Sequence, residues 1–195
     1  MSTIGVLALQ GDVREHEAAL ARLGATTLRV RRQAELDRVD AIVMPGGEST
    51  TIDKLLRVFG LFDPLRERLH AGMPVLGTCA GMIMLASDVI GAVDGQRSLG
   101  VIDMQVRRNA FGRQVDSSEV QLTWRPDGSA MHATFIRAPW VERCGADVDV
   151  LATDDARGGQ VVAVRQGNAI ATSFHPEVSG EDRVHAMLVD LADHH

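Results

Sequence analysis

The chain has 195 residues, 45% of them hydrophobic and 24% charged, the balance of a globular protein long enough to bury its own core. Its net charge of −6 excludes a broad electrostatic attraction to nucleic acid or an anionic membrane. No stretch reaches the roughly 18 apolar residues of a membrane span, because Ser87 and Asp88 interrupt the run at 82–93.

The first apolar run, 4–9, is short and lacks the basic leader of a secretory signal. Cys79 and Cys144 form neither a disulfide framework nor a CxxC pair. A reducing, cytoplasmic setting is therefore expected, with Cys79 available as a thiol. Lys54 is the only lysine and tyrosine is absent, so thiol, imidazole, carboxylate and backbone amide are the groups left to do chemistry.

Taken in order, the N-terminal half alternates strand-like and helix-like segments. Residues 3–9 form an aliphatic run ended by a turn, and 13–23 carry apolar residues at helical spacing with Gly24 as a stop. Residues 26–30 and 40–44 read as strands. The segment 50–59 reads as a helix capped by Ser49 or Thr50, with Asp53 in its first turn. Another helix is expected at 64–71, then a buried strand at 74–77 and a helix at 81–86. This βαβα rhythm indicates a parallel sheet covered on both faces. After Leu99 the texture changes to short strands at 101–107, 120–124, 133–136, 148–152, 160–165 and 169–174, closed by a helix at 181–192. A single α/β domain over residues 1–195 is the expectation.

Three motifs fall at strand ends. Gly77-Thr78-Cys79-Ala80-Gly81 has the spacing of a nucleophile elbow, with sulfur in place of a hydroxyl. Flanking glycines suit a tight strand-to-helix turn, and a helix N-terminus offers a dipole and free amides that favour a thiolate. The Ala80 amide then points where an oxyanion forms. A lone cysteine is otherwise a small core hydrophobe, and the elbow alone does not decide between the two. His175-Pro176-Glu177 follows the strand at 169–174. The motif is expected to be extended, since residues two apart then face one side and proline biases its predecessor that way. Glu177 would hold one His175 nitrogen while the other faces a thiol, in a nucleophile–base–orienter arrangement. Pro45-Gly46-Gly47-Glu48-Ser49 follows the strand at 40–44 and can present backbone amides to a substrate. It also reads as an ordinary turn with a capping serine. Loops converging at the carboxyl ends of strands are where open α/β sheets bind ligands.

Together these motifs make the chain resemble the class I (triad) glutamine amidotransferases, and more narrowly the glutaminase subunits of pyridoxal 5′-phosphate synthases. The narrower likeness rests on Gly5-Val6-Leu7-Ala8-Leu9-Gln10-Gly11, residues 45–51 and 77–81, Arg108-Asn109-Ala110-Phe111-Gly112-Arg113-Gln114, Phe135-Ile136-Arg137-Ala138-Pro139 and residues 173–177. It covers essentially the whole chain. The resemblance implies a three-layer α/β/α, flavodoxin-like fold with a mixed, mainly parallel central sheet. It implies Cys79 as nucleophile, His175 as base and Glu177 as its orienter. Gly47, Glu48, Ser49, Arg108, Ile136 and Arg137 match substrate-binding positions, with Gly47 and Ala80 forming the oxyanion hole. The implied reaction hydrolyses L-glutamine to L-glutamate and ammonia through a γ-glutamyl thioester, without metal or cofactor. The ammonia would pass to a separate (β/α)₈ synthase subunit in a large hetero-oligomer. A chain with one lysine fits that division, since imine chemistry needs a lysine amine that the partner would supply. Gln10 and Gly11 are expected to gate the oxyanion hole or to meet the partner. Arg108 and Arg137 suit the α-carboxylate of glutamine, and a structural ion pair is the other reading of each.

Three rivals stay open on sequence alone. One is the glutaminase of another synthase, such as that for imidazole glycerol phosphate. The second is a redox-sensing α/β protein with an elbow cysteine, and the third a γ-glutamyl peptide hydrolase that needs no partner.

Overall fold

Successive side chains of a strand point to opposite faces, so the near-continuous apolar runs of the central strands give each two buried faces. The computed structural model describes residues 2–108 and 118–195, so positions 109–114 of the motif beginning at Arg108 lie outside the described residues. In chain order the first half comprises β1 (Thr3–Leu7), α1 (Val13–Arg22), β2 (Thr26–Val30), α2 (Gln33–Leu36), β3 (Ala41–Met44), α3 (Ser49–Val58), α4 (Phe62–His70), β4 (Val75–Thr78) and α5 (Ala80–Leu85). The second comprises β5 (Ala86–Ile90), β6 (Ile102–Arg107), β7 (Ser118–Trp124), β8 (Ser129–Phe135), β9 (Trp140–Cys144), β10 (Asp149–Asp154), β11 (Gln160–Gln166), β12 (Ala169–Thr172), α6 (Pro176–Ser179) and α7 (Arg183–His194).

One mixed sheet runs through the molecule in the order β2-β1-β3-β4-β12-β11-β10-β7-β8. The first five strands are parallel and the rest of this path antiparallel. A branch of β5, β6 and β9 joins at β11 through the pair Val161 and Val141. In β3, Ala41 and Val43 point into one core with Leu20 of α1 and Val184 and Leu188 of α7. Ile42 and Met44 point into the other with Ile52 and Leu56 of α3 and Leu65 of α4. The result is a three-layer α/β fold with helices on both faces. Each of these fully buried aliphatic side chains contributes about 1.5–3 kcal/mol relative to exposure.

Because β1, β3, β4 and β12 are parallel, their carboxyl ends lie at one edge, and the loops carrying Gln10, Gly46, Cys79 and His175 leave from it. The mostly apolar composition of the parallel strands accounts for the agreement with the expected segments here. Three elements were not legible in the sequence. Strand β5 begins where the helix expected at 81–86 was to end: α5 runs from Ala80 to Leu85, Ala86 turns extended at ψ 147°, and the strand pairs with β6. Strand β9 escapes a periodicity search because Glu142 and Arg143 are exposed and only Val141 is buried. Helix α2 is a single turn that buries only Leu36.

Two histidines lie inside the fold. His16 of α1 and His185 of α7 are fully buried, with His16 Nδ1 2.9 Å from His185 Nε2. Burial holds the pKa of His16 well below its ordinary value, and the neighbouring His185 and His175 lower it further. Burial also lowers His185, to about 4, the nearby Asp182 opposing and Arg22 reinforcing the shift.

Two outcomes follow for stability. A methyl group added at Gly81 would lie 2.1 Å from the Met44 carbonyl oxygen, a backbone atom. Gly81→Ala is therefore expected to lower the unfolding free energy by at least about 1–3 kcal/mol, read from the denaturant midpoint. Folding also requires the two buried rings to be neutral. The contribution of His185 is complete above the unfolded-state value of 6.5 and is lost as pH falls from there to about 4, and that of His16 is lost in the same direction. Denaturation followed across this window should show stability declining by about 3 kcal/mol from His185 alone, and the decline should be reduced in His185→Leu.

Candidate active site

The site begins with a strained turn. Cys79 follows β4 at φ 48°, ψ −101°, a conformation that L residues rarely adopt, and it caps α5. Its amide donates to the Thr172 carbonyl of β12 at 2.8 Å, which ties the turn to the neighbouring strand. The elbow glycines are required by contact. A Cβ at Gly77 would lie 2.7 Å from the Gly81 backbone, so strand, turn and helix touch with no room for side chains. Cys79 is 7% exposed, and its Sγ lies 3.9 Å from the Ile136 carbonyl oxygen. Next to Ile136, Arg137 takes φ 46°, the other non-glycine residue with positive φ among the described residues.

The geometry at His175 differs from the extended motif expected from sequence. Strand β12 stops at Thr172, His175 is the N-cap of α6, and Pro176 occupies the first turn of that helix. Proline fits a first helical turn because it has no amide hydrogen to leave unpaired there. Glu177 still reaches His175, with Oε1 2.8 Å from Nδ1, because the turn curls the carboxylate back under the ring. The amide of His175 donates to the Thr134 carbonyl of β8 at 2.9 Å. Against the other side of the ring lies Gly46, where a Cβ would come within 2.3 Å of His175 Cε1.

The electrostatics form one coupled unit. Burial alone would lower the His175 pKa, but the Cys79 sulfur and the Glu177 carboxylate outweigh it and push it up to about 10. Burial raises the pKa of Glu177, and the interaction with His175 opposes that rise. Asp12, not anticipated from sequence as a site residue, places Oδ2 3.4 Å from His175 Nδ1. Burial raises its pKa, His175 lowers it and Glu15 adds to the rise. Donor atoms of Asp12, His175 and Glu177 lie within 4.8 Å of one another, close enough to hold a cation. The short His175–Glu177 hydrogen bond already uses the imidazole nitrogen that such an ion would need.

The glycine loop meets a second network. Gln10 Oε1 accepts the Glu48 amide at 2.7 Å, and the Gly46 carbonyl accepts the Asp12 amide at 3.3 Å, so the loop after β1 holds the loop after β3. Arg108 donates to Glu48 Oε1 at 2.8 Å and to Gln96 Oε1 at 2.9 Å. Gln96 in turn donates to Ser49 Oγ at 3.1 Å. Ser49 is therefore the first residue of α3, engaged by Gln96, and not the capping side chain expected from sequence; Glu48 is the N-cap. Asp53, expected in the first turn, is buried beyond it and pairs with Arg57 at 2.8 Å. Glu48, Ser49 and Arg108 thus come together, Ile136 approaches Cys79 through its backbone, and Arg137 stands exposed beside it. Gln10 was legible in the sequence as part of the loop after the first strand. Gln96 and Asp12 carried no such signal.

The model of the SNO glutamine amidotransferase family matches residues 6–193. The pyridoxal 5′-phosphate synthase subunit PdxT of Mycobacteroides abscessus is 62% identical over 188 residues, covering 96% of each chain. That of Streptomyces avermitilis is 58% identical over 189 residues, 96% of this chain and 92% of the relative. A crystal structure of a glutamine amidotransferase superposes with a TM-score of 0.89 at 47% identity, over 97% of this chain and 98% of that one. The chain belongs to the SNO glutamine amidotransferase family.

Proposed function

We propose that the chain is the glutaminase subunit of a pyridoxal 5′-phosphate synthase, acting in the cytoplasm with Cys79, His175 and Glu177 as its triad. The observation that carries the reading is the strained Cys79 facing an imidazole whose Nδ1 lies 2.8 Å from a buried carboxylate. That it occurs in a chain 62% identical to a protein named as such a subunit supports the choice over other glutaminases. Redox-sensing cysteines are solvent-accessible, whereas Cys79 is 7% exposed.

In the proposed reaction the Cys79 thiolate attacks the side-chain amide carbon of L-glutamine. The oxyanion forms against the amides of Gly47 and Ala80. His175 gives its proton to the leaving ammonia, and a γ-glutamyl thioester remains. His175 then takes a proton from water, whose oxygen attacks the thioester and releases glutamate. Glu177 keeps the imidazole in the required tautomer and stabilises its cationic form. Glutamine carries an ammonium and a carboxylate at its α-carbon. Glu48 suits the first, and Arg108 and Arg137 suit the second, with Ser49 and the Ile136 backbone completing the pocket.

The ammonia is passed to a (β/α)₈ synthase subunit. Gln10 holds the Glu48 amide and Asp12 holds the Gly46 carbonyl, so the loop that carries Gly47 is tied down in the free chain. Docking of the synthase is proposed to release it and complete the oxyanion hole.

Glutamate release measured with and without the synthase subunit tests the assignment, and a large rise on adding it is expected. Equal turnover in both states would contradict the coupling. Cys79→Ala should abolish glutamate release while leaving the fold and synthase binding intact, and retained activity would sink the assignment of the nucleophile. Glu177→Gln should lower kcat about 10²–10⁴-fold, because the amide favours the wrong imidazole tautomer.

A further inference from the structure

Behind the triad, away from the substrate side, lies a second row of buried polar groups. His16 Nε2 sits 3.2 Å from Thr78 Oγ1 and 3.5 Å from Glu177 Oε1, and all three side chains are fully buried. Its other nitrogen faces His185 Nε2 at 2.9 Å. Two buried atoms in this row have no hydrogen-bond partner among the described residues, Glu177 Oε2 and His185 Nδ1. One oxygen of Glu177 is thus unsupported, and the carboxylate depends on what reaches Oε1.

The unpartnered His185 nitrogen orders the protons. If His16 were protonated on Nδ1, it would donate to His185 Nε2. The His185 proton would then sit on Nδ1 as a buried donor without an acceptor, and the His16 Nε2 lone pair would face a carboxylate. The opposite arrangement leaves only a lone pair unpartnered, which costs less than an orphaned N–H facing nothing and a lone pair opposed to an anion. His185 therefore donates from Nε2 to His16 Nδ1, and His16 Nε2–H points at Thr78 Oγ1 and Glu177 Oε1.

We propose that His16 is a positioning residue for glutamine hydrolysis, its Nε2–H steadying the Glu177 carboxylate that orients His175, with His185 fixing the tautomer that makes this possible. The proposal rests on the glutaminase reading above. The contact also reaches the nucleophile from behind, because Thr78 immediately precedes Cys79 and ends β4. The charged and titratable groups facing this row are His175 and Asp12 at Glu177, His175 and His185 at His16, and Asp182 and Arg22 at His185.

The test compares the wild type, His16→Ala and His16→Gln, each assembled with the synthase subunit, by kcat, KM for glutamine and the pH profile of kcat. His16→Ala should lower kcat about 10- to 100-fold with KM little changed. Loss of a donor to the carboxylate should also move the acid limb of the profile to higher pH. His16→Gln keeps an N–H within reach of the same oxygen and should recover most of both. An unchanged kcat and acid limb in His16→Ala overturns the proposal. Should that variant not fold, ¹⁵N imidazole spectra of the wild type decide: Nε2–H on His16 is expected, and Nδ1–H overturns it. A wild-type complex that releases no glutamate would remove the glutaminase reading, while the tautomer spectrum would still report on His16.

Discussion

The turn at Cys79 is the constraint to which the other parts of the site adjust. Helix α5 begins so close to β3 that Gly81 packs against the Met44 carbonyl, and Gly77 packs against Gly81. With no side chain admitted on either flank, Cys79 is forced to positive φ and its sulfur emerges at the carboxyl edge of the sheet. Strain of this kind persists only when its surroundings over-determine it. Here they do so through the Cys79 amide bonded to β12 and through two apolar cores that clamp β3 and β4 from both faces.

From that fixed point the position of His175 follows. Strand β12 is hydrogen-bonded beside β4, so the residues after Thr172 are delivered next to the elbow. His175 is then held by four separate groups: its amide on Thr134, its Nδ1 on Glu177, its ring edge against Gly46 and the thiol side towards Cys79. An imidazole so confined has little freedom to leave the productive orientation, and preorganisation of this sort lowers the cost of reaching a charged transition state. The carboxylate behind it is buried, and the raised pKa of Glu177 records the cost of that burial.

The polar interior behind the triad has a different character from the apolar cores around it. His16 and His185 are neutral, and their helices cover the same face of the sheet. Buried polar groups are costly unless paired, and this pair lies against Thr78 and Glu177. At the carboxyl edge of the sheet, a chain of contacts runs from Ser49 through Gln96 and Arg108 to Glu48, and then through the Glu48 amide to Gln10.

The sequence by itself indicated the parallel core, because the mostly apolar runs at 40–44, 74–77 and 169–174 read as strands, and the first two alternate with helical segments. It also marked Cys79 as the residue of a tight strand-to-helix turn, since glycines on both sides of a cysteine at a strand end suit that turn. His175 and Glu177 were legible as a pair, but their shape was not. Proline is compatible with an extended chain and with a first helical turn, and only packing against β8 and Gly46 selected the turn. Asp12, Gln96 and His16 were decided by tertiary structure alone, and so was the partner of Gln10. Their partners lie 38 residues away for Gln10 and Glu48, 47 for Gln96 and Ser49, and 169 for His16 and His185. Separations of that size leave no local pattern, because a side-chain hydrogen bond depends on where the sheet order brings two loops, and the order is set by the whole chain.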